Sequence, residues 1–117
     1  MGLIAIATSD GVTIDGRLDT PGTYYIYCFD ENREVVLKEQ RSLHRCRNRH
    51  VLPQEVALLL SDVLLILVTD VVRETEIYFI TRGILVAAVR GNVSEALQGY
   101  QRRGRFLDEL FAKLRKR

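Results

Sequence analysis

Hydrophobic residues fall into short runs separated by polar turns, and their spacing predicts an α/β domain. The run 3–8 is apolar at nearly every position, which predicts a central strand buried on both faces. The aromatic run 24–29 and the more charged run 34–39 flank a polar turn, so they predict a hairpin whose second arm is an edge strand. Two further apolar runs, 63–68 and 84–89, predict buried strands.

Three segments predict helices. Pro53 suits the first position of a helix that buries Val56 and Leu60. The segment 71–82 fits a strand or a crossover helix, and the helix is favoured because the two flanking all-apolar strands need cover on both faces. Asn92 begins a capping-box pattern that opens the next helix. The order predicts a three-layer α/β/α fold around a five-stranded mixed sheet.

The carboxyl-terminal residues predict a further helical segment. With 117 residues the chain fits a single domain, in which residues 104–117 form a basic helical extension. Its apolar stripe is expected to pack on the sheet or on a second copy of the chain, which leaves a homodimer open. The stripe consists of Phe106, Leu107, Leu110, Phe111 and Leu114.

The charge distribution is uneven although the net charge is only +2. Residues 41–50 carry +4, residues 102–117 carry seven basic and two acidic side chains, and the rest has six basic and thirteen acidic ones. A stripe that binds nucleic acid usually needs more excess charge than this, whereas a local anion site does not. The pattern therefore argues against a nucleic-acid-binding protein.

Composition and the amino-terminal residues also indicate the cellular compartment in which the protein is expected. The longest nearly apolar run, 56–68, is interrupted by Ser61 and Asp62 and is too short to span a bilayer. The amino terminus has no positive flank or cleavage site and passes directly into a strand, so no signal peptide is expected. Two cysteines without an export signal indicate the reducing cytoplasm.

The basic stretch 41–50 is the leading candidate site. It contains both histidines, a cysteine and four arginines but no acidic residue, so it is expected to be an exposed loop. His44, Cys46 and His50 are predicted metal ligands within a positive field, an arrangement that suits an anionic ligand containing metal. The alternative is a solvated basic loop that binds nothing. The residues predicted to neutralise the charge of the ligand are Arg45, Arg47 and Arg49.

Polar residues also follow two of the buried strands. Ser9 and Asp10 come after the first, and Thr69 and Asp70 come after the run 63–68. Open α/β sheets bind ligands at the carboxyl ends of their strands, so Ser9 and Asp10 are predicted to contact the same anionic ligand. Asp10 and Asp70 also leave open a Mg²⁺ site for phosphodiester chemistry, but both are equally natural as turn and helix-cap residues.

The order of these motifs resembles the dinitrogenase iron-molybdenum cofactor biosynthesis family, the NifX-like proteins. The resemblance covers about the first hundred residues. It implies a ribonuclease-H-like fold, also described as nitrogenase accessory factor-like. The segments that carry it are 6–11, Ile14-Asp15, 24–27, Leu60-Ser61-Asp62, Gly83-Ile84 and 93–97.

The resemblance further implies a role without catalysis. The protein would bind, hold or pass on an iron-molybdenum cofactor or an iron-sulfur precursor cluster, and its partner would be a cofactor-synthesis protein or the target apo-protein. Where family members commonly carry His-Phe-Gly, this chain has Arg17-Leu18-Asp19, so Arg17 becomes a candidate anion contact. The glycine-rich turn of the family is replaced by residues 70–74. A regulatory or interaction module without metal, or a ribonuclease-H-like protein acting on nucleic acid, are the alternatives.

Overall fold

The computed structural model describes residues 2–18, 22–30, 32, 34–43, 52–99 and 101. The predicted strands are confirmed, and the segment 71–82 is a helix rather than a strand. The terminal extension 104–117 lies outside the described residues. The elements in chain order are β1 (Gly2–Ala7), β2 (Gly22–Phe29), β3 (Val35–Leu43), α1 (Pro53–Leu59), β4 (Leu65–Val68), α2 (Arg73–Ile80), β5 (Leu85–Ala88) and α3, residues 93–99.

The five strands form one mixed sheet in the order β3-β2-β1-β4-β5. Strand β2 is antiparallel to both of its neighbours, while β4 is parallel to β1 and to β5. The central position of β1 is clear from Ala5, which is in register with Ile26 on one side and Ile66 on the other. The predicted five-stranded mixed sheet, with β3 at an edge, is therefore confirmed.

Helices cover both faces of the sheet. On one face Ala5, Ile26 and Ile66 join a buried cluster with α1 and α2, and on the other Ile4 and Ile6 pack with α3. Successive residues of β1 thus enter opposite cores, as the side-chain period of a strand requires. This explains why β1 is apolar throughout and why the layers stack as α/β/α.

Helix ends follow the local signals in the sequence. Asn92 accepts a hydrogen bond at Oδ1 from the N–H of Glu95 at 2.7 Å, so the predicted cap of α3 is present. After α2, Gly83 has a φ of 79°, and its N–H donates to the carbonyl of Ile80 at 2.9 Å. A glycine in this left-handed conformation is a common way to end a helix. No helix in the described ranges is long and apolar enough to cross a membrane.

The prediction that residues 41–50 form an exposed loop is wrong at its first residue, because Arg41 lies in strand β3. Its guanidinium donates to both carboxylate oxygens of Asp62, at 2.6 and 2.9 Å, and to Glu39 at 2.7 Å. It also donates to the carbonyl of Leu59 at the end of α1, at 3.0 Å. The side chain is only 18% exposed, since carboxylates outside the stretch neutralise it. Residues 44–50 lie outside the described part of the chain.

We expect Arg41→Ala to lower the free energy of unfolding by about 2 kcal/mol, because a two-pronged ion pair and a helix-end contact are both lost. A double-mutant cycle with Asp62→Ala, followed by urea denaturation at neutral pH, should give a coupling of about 1 kcal/mol, since the half-exposed Asp62 is screened by solvent. Arg73→Ala, an exposed arginine on α2, is the control and should change stability by less than about 0.5 kcal/mol.

The same coupling should depend on pH. The hydrogen bond from Arg41 holds the pKa of Asp62 below its ordinary value in the folded protein. The stabilisation is therefore complete above the pKa of an unfolded aspartate and disappears as the pH falls through the lower pKa of the folded state. A coupling energy that is the same at neutral pH and at pH values below that range would contradict this assignment.

Candidate functional site

One edge of the sheet collects the carboxyl ends of β1, β3, β4 and β5, because these four strands run in the same direction. We call it the carboxyl edge. The chain that follows β1 crosses this edge and is tied to two strands. The N–H of Gly16 donates to the carbonyl of Ala7 at 3.2 Å, and the N–H of Thr69 donates to the carbonyl of Gly16 at 3.0 Å. The crossing thus positions residues 9–17 above the ends of β1 and β4.

Two cavities open at the carboxyl edge, and Arg17 lines both of them. The larger, which we call the edge cavity, has a volume of about 320 Å³. The smaller, the α2 cavity, has a volume of about 50 Å³ and lies beside the start of α2. The edge cavity is lined by Ala7, Thr8, Ser9, Asp15, Gly16, Arg17, Gly22, Thr23 and Tyr24. The α2 cavity is lined by Arg17, Leu18, Pro53, Asp70, Val71, Val72 and Thr75.

Arg17 provides a cation where the cavities meet. Its Nη1 lies 2.9 Å from Oδ2 of Asp70, and the two side chains are 41% and 65% exposed. An ion pair this exposed contributes little to stability, so an anion entering either cavity competes with Asp70 for the guanidinium at small cost. The resemblance to the NifX-like proteins makes Arg17 a candidate anion contact, and its side chain lies at the carboxyl edge.

Ser9 and Asp15 form a polar wall of the edge cavity. The backbone N–H of Ser9 donates to Oδ1 of Asp15 at 3.0 Å, and its hydroxyl donates to Oδ2 at 2.5 Å. Both oxygens of this carboxylate are therefore engaged within the wall. The hydroxyl of Thr8, which is almost fully buried, donates to the carbonyl of Thr13 at 2.6 Å and fixes the turn after β1.

Asp10 has a structural role in that turn. Its Oδ1 accepts hydrogen bonds from the N–H groups of Val12 and Thr13, at 2.8 and 3.0 Å. The bond from Thr13, followed by that from Val12, holds the pKa of Asp10 below its ordinary value because both stabilise the charged carboxylate. The residues that line the edge cavity do not include Asp10. Of the predicted residues that follow β1, Ser9 and Arg17 share a cavity, whereas Asp10 stabilises the turn.

Both ends of the predicted ligand loop lie at the carboxyl edge. Leu43, the last residue of β3, is in register with Gly22, which lines the edge cavity. Pro53, the first residue of α1, lines the α2 cavity. The segment 44–51 joins these two points and lies outside the described residues, as do the predicted ligands in it, which are His44, Arg45, Cys46, Arg47 and His50.

Cys28 lies at the opposite end of the sheet. It is in register with Leu3 at the start of β1, whereas Gly22 begins β2 at the carboxyl edge. Gly22 and Cys28 are six positions apart along β2, which corresponds to a distance of about 20 Å. Within the described ranges no three histidine, cysteine, aspartate or glutamate side chains converge as a metal site would need.

Several lining residues escaped the sequence-based prediction. Asp15 and Gly16 belong to a segment predicted as a turn with a short extended piece, Tyr24 was predicted only as the start of a strand, and Thr23 was not singled out. Their place in the edge cavity follows from β2 pairing beside β1, which brings Tyr24 into register with Ala7. The only signal in the sequence was the Asp-Gly dipeptide shortly after a buried strand, which marks a turn without indicating what the turn faces.

Comparisons with known proteins support the fold alone. No family model matches the sequence, and no curated protein matches it. Among solved structures, one titled "Crystal structure of PH0822" is similar to this chain with a TM-score of 0.53 and 15% sequence identity. The similarity covers 85% of this chain and 89% of that one. The α/β architecture is therefore shared over most of both chains.

Proposed function

We propose that this protein is a non-catalytic binding protein, or carrier, for an anionic iron-sulfur or iron-molybdenum cofactor or its precursor. The observation that carries the proposal is the position of Arg17 in two cavities at the carboxyl edge, between the two ends of the segment 44–51. This edge therefore combines a cationic side chain with open space. The segment that contains histidine and cysteine also begins and ends there. In open α/β sheets this edge is where ligands bind.

The role of each side chain in this proposed site follows from its chemistry. His44, Cys46 and His50 would ligate the metal cluster, since imidazole and thiolate are ligands for iron and similar metals. Arg17 would neutralise part of its negative charge from the other side of the edge cavity. Arg45 and Arg47 would do the same from the segment itself.

The finer fold assignment belongs to the same proposal. A ribonuclease-H-like motif is supported by the strand order β3-β2-β1-β4-β5, in which only β2 runs opposite to the rest. In this proposal the protein works in the cytoplasm and exchanges its cargo with a cofactor-synthesis protein or a target apo-protein.

To test the proposal, the full chain would be purified without oxygen and reconstituted with ferrous iron and sulfide, with and without molybdate. We expect retained iron and a visible absorption band in the unaltered protein. The triple variant His44→Ala/Cys46→Ala/His50→Ala should lose at least nine-tenths of the retained metal, because no thiolate or imidazole remains in the segment. Metal analysis after desalting and the absorption spectrum measure both.

Cys28→Ser is the matched control, since it removes the other cysteine at the far end of the sheet. It should retain metal like the unaltered protein. Equal retention by the triple variant and the unaltered protein, or loss of metal only in Cys28→Ser, would remove the segment 44–51 from the site.

The ion pair of Arg17 makes a second prediction. With tetrathiomolybdate as an anionic probe, Arg17→Gln should weaken binding about tenfold because it removes the cation from both cavities. Asp70→Asn should instead strengthen binding by about threefold, because the probe no longer competes with the carboxylate that holds Arg17. Titrations followed by the absorption of the probe give both dissociation constants.

Two exposed residues of strand β3 and its preceding turn serve as controls. Lys38→Gln and Glu34→Gln make the same changes in net charge away from the carboxyl edge, so neither should alter the affinity by more than about twofold at moderate salt. If the Arg17 and Asp70 variants change affinity in the same direction, the assigned competition between Asp70 and the ligand is wrong.

A further inference from the structure

A second open surface lies in the helical layer that covers one face of the sheet. A groove with a volume of about 430 Å³ runs between α1 and α2. We call it the α1–α2 groove. Ala57 and Leu58 of α1 and Tyr78 of α2 line it, together with Arg82 and Ile84 from the chain after α2.

Leu58 makes the groove apolar and accessible. Its side chain is 82% exposed, whereas Val56 and Leu60 on the same helix are fully buried. Helix α1 is thus already packed against the core through its inner face, and Leu58 has no part in that packing. A leucine left in water next to an apolar groove gains free energy when a partner covers it.

Arg82 gives the groove a positive charge that is held in place. Its guanidinium carbon lies 3.6 Å from the centroid of the Tyr78 ring, and Nη1 donates to the Tyr78 carbonyl at 3.1 Å. None of the acidic residues in the described ranges forms an ion pair with Arg82. Among the described residues that line the groove, Arg82 is the one cation, and none of them is a carboxylate. The surface therefore offers an apolar slot with an unneutralised cation beside it.

We propose that the α1–α2 groove docks an acidic amphipathic helix of a partner protein. An apolar side chain of that helix lies between Leu58 and Tyr78, and a carboxylate about one turn away pairs with Arg82. The partner segment is helical because the groove is lined by side chains of two helices and offers no strand edge for main-chain pairing. The carboxylate is required because Arg82 is the charge that the groove presents. This docking surface does not depend on the proposed cofactor site.

The test selects helical peptides from a phage-displayed library on the full-length protein and measures the dissociation constants of the enriched peptides by fluorescence anisotropy. We expect the enriched sequences to carry a carboxylate three or four residues from a large apolar residue. Leu58→Ala and Arg82→Gln should each weaken binding at least tenfold, and Val36→Ala, on an exposed apolar residue of edge strand β3, should not. All three residues are exposed, and unchanged melting temperatures confirm that the variants fold.

A charge exchange makes the test specific. The Arg82→Glu variant should not bind the acidic peptide. It should bind a peptide in which lysine replaces the carboxylate residue, with an affinity within about threefold of that of the original pair. The proposal is overturned if no peptide is enriched, if the enriched peptides lack the carboxylate, or if the Leu58 and Arg82 variants bind normally. Self-association that Leu58→Asp abolishes, seen by light scattering, would identify a second copy as the occupant and overturn it as well.

Discussion

Phe79→Ala is expected to lower the free energy of unfolding by about 4 kcal/mol. Phe79 is fully buried in the cluster between the sheet and the helices α1 and α2, and its ring packs edge-on against that of Tyr78 at 5.5 Å between centroids. Truncation removes the transfer free energy of the ring and leaves a cavity that the rigid sheet cannot fill. Urea denaturation at 25 °C measures the loss.

Ile77→Ala, two positions earlier in α2, is the matched control. Its side chain is 48% exposed, so the loss should stay below about 1 kcal/mol. If Phe79→Ala does not fold, Phe79→Leu provides the measurement, with a smaller loss because most of the volume is kept. Similar losses at Phe79 and Ile77 would mean that α2 does not pack in the way described.

The second large effect is expected at Gly16, where Gly16→Val should cost about 3 kcal/mol. A Cβ atom at this position would lie 2.7 Å from the Cβ of Ala7, closer than non-bonded carbon atoms normally approach. The backbone would have to move away from β1. Because the carbonyl of Gly16 accepts hydrogen bonds from the N–H and the hydroxyl of Thr69, at 3.0 and 3.1 Å, that movement would also pull the crossing away from β4.

Thermal and urea unfolding measure the stability of Gly16→Val, and titration with tetrathiomolybdate reports on the neighbouring edge cavity. The stability of the variant and its affinity for tetrathiomolybdate should both decrease. Gly99→Ala is the control, since a Cβ there meets no atom within 4 Å and alanine favours a helix. It should leave stability unchanged or raise it by up to about 1 kcal/mol. A Gly16→Val protein as stable as the unaltered one would show that the crossing is not tightly packed on β1.

Much of the fold could be predicted from local patterns. The apolar run of β1 indicated a strand buried on both faces, and it lies at the centre of the sheet. Gly83 closes α2 in a left-handed conformation, and the side chain of Asn92 caps α3, because both effects involve only groups within a few residues of one another. The prediction of a helix for 71–82 is also confirmed, but it did not rest on local residues. It rested on the need of two parallel apolar strands for a connection that also covers them.

The candidate site could be predicted only in part. Ser9 and Arg17 were selected from the sequence, and both line the edge cavity. Asp10 was selected with them but is engaged in its own turn, because a short acidic side chain bonds to backbone N–H groups two and three residues later. Thr23 was missed, since its place beside the turn depends on strand pairing rather than on neighbouring residues.

By itself the sequence determined the type and order of the elements, the apolar faces of the strands and the position of the histidine- and cysteine-containing segment between β3 and α1. These features depend on hydrophobic periodicity and on turn residues, which act over a few positions. The tertiary structure alone decided that Arg41 is neutralised by Asp62, that Gly16 must approach Ala7, and that both ends of the segment lie at the same edge of the sheet as Arg17. Those arrangements depend on how strands, helices and the crossing after β1 pack together, which no local pattern in the sequence specifies.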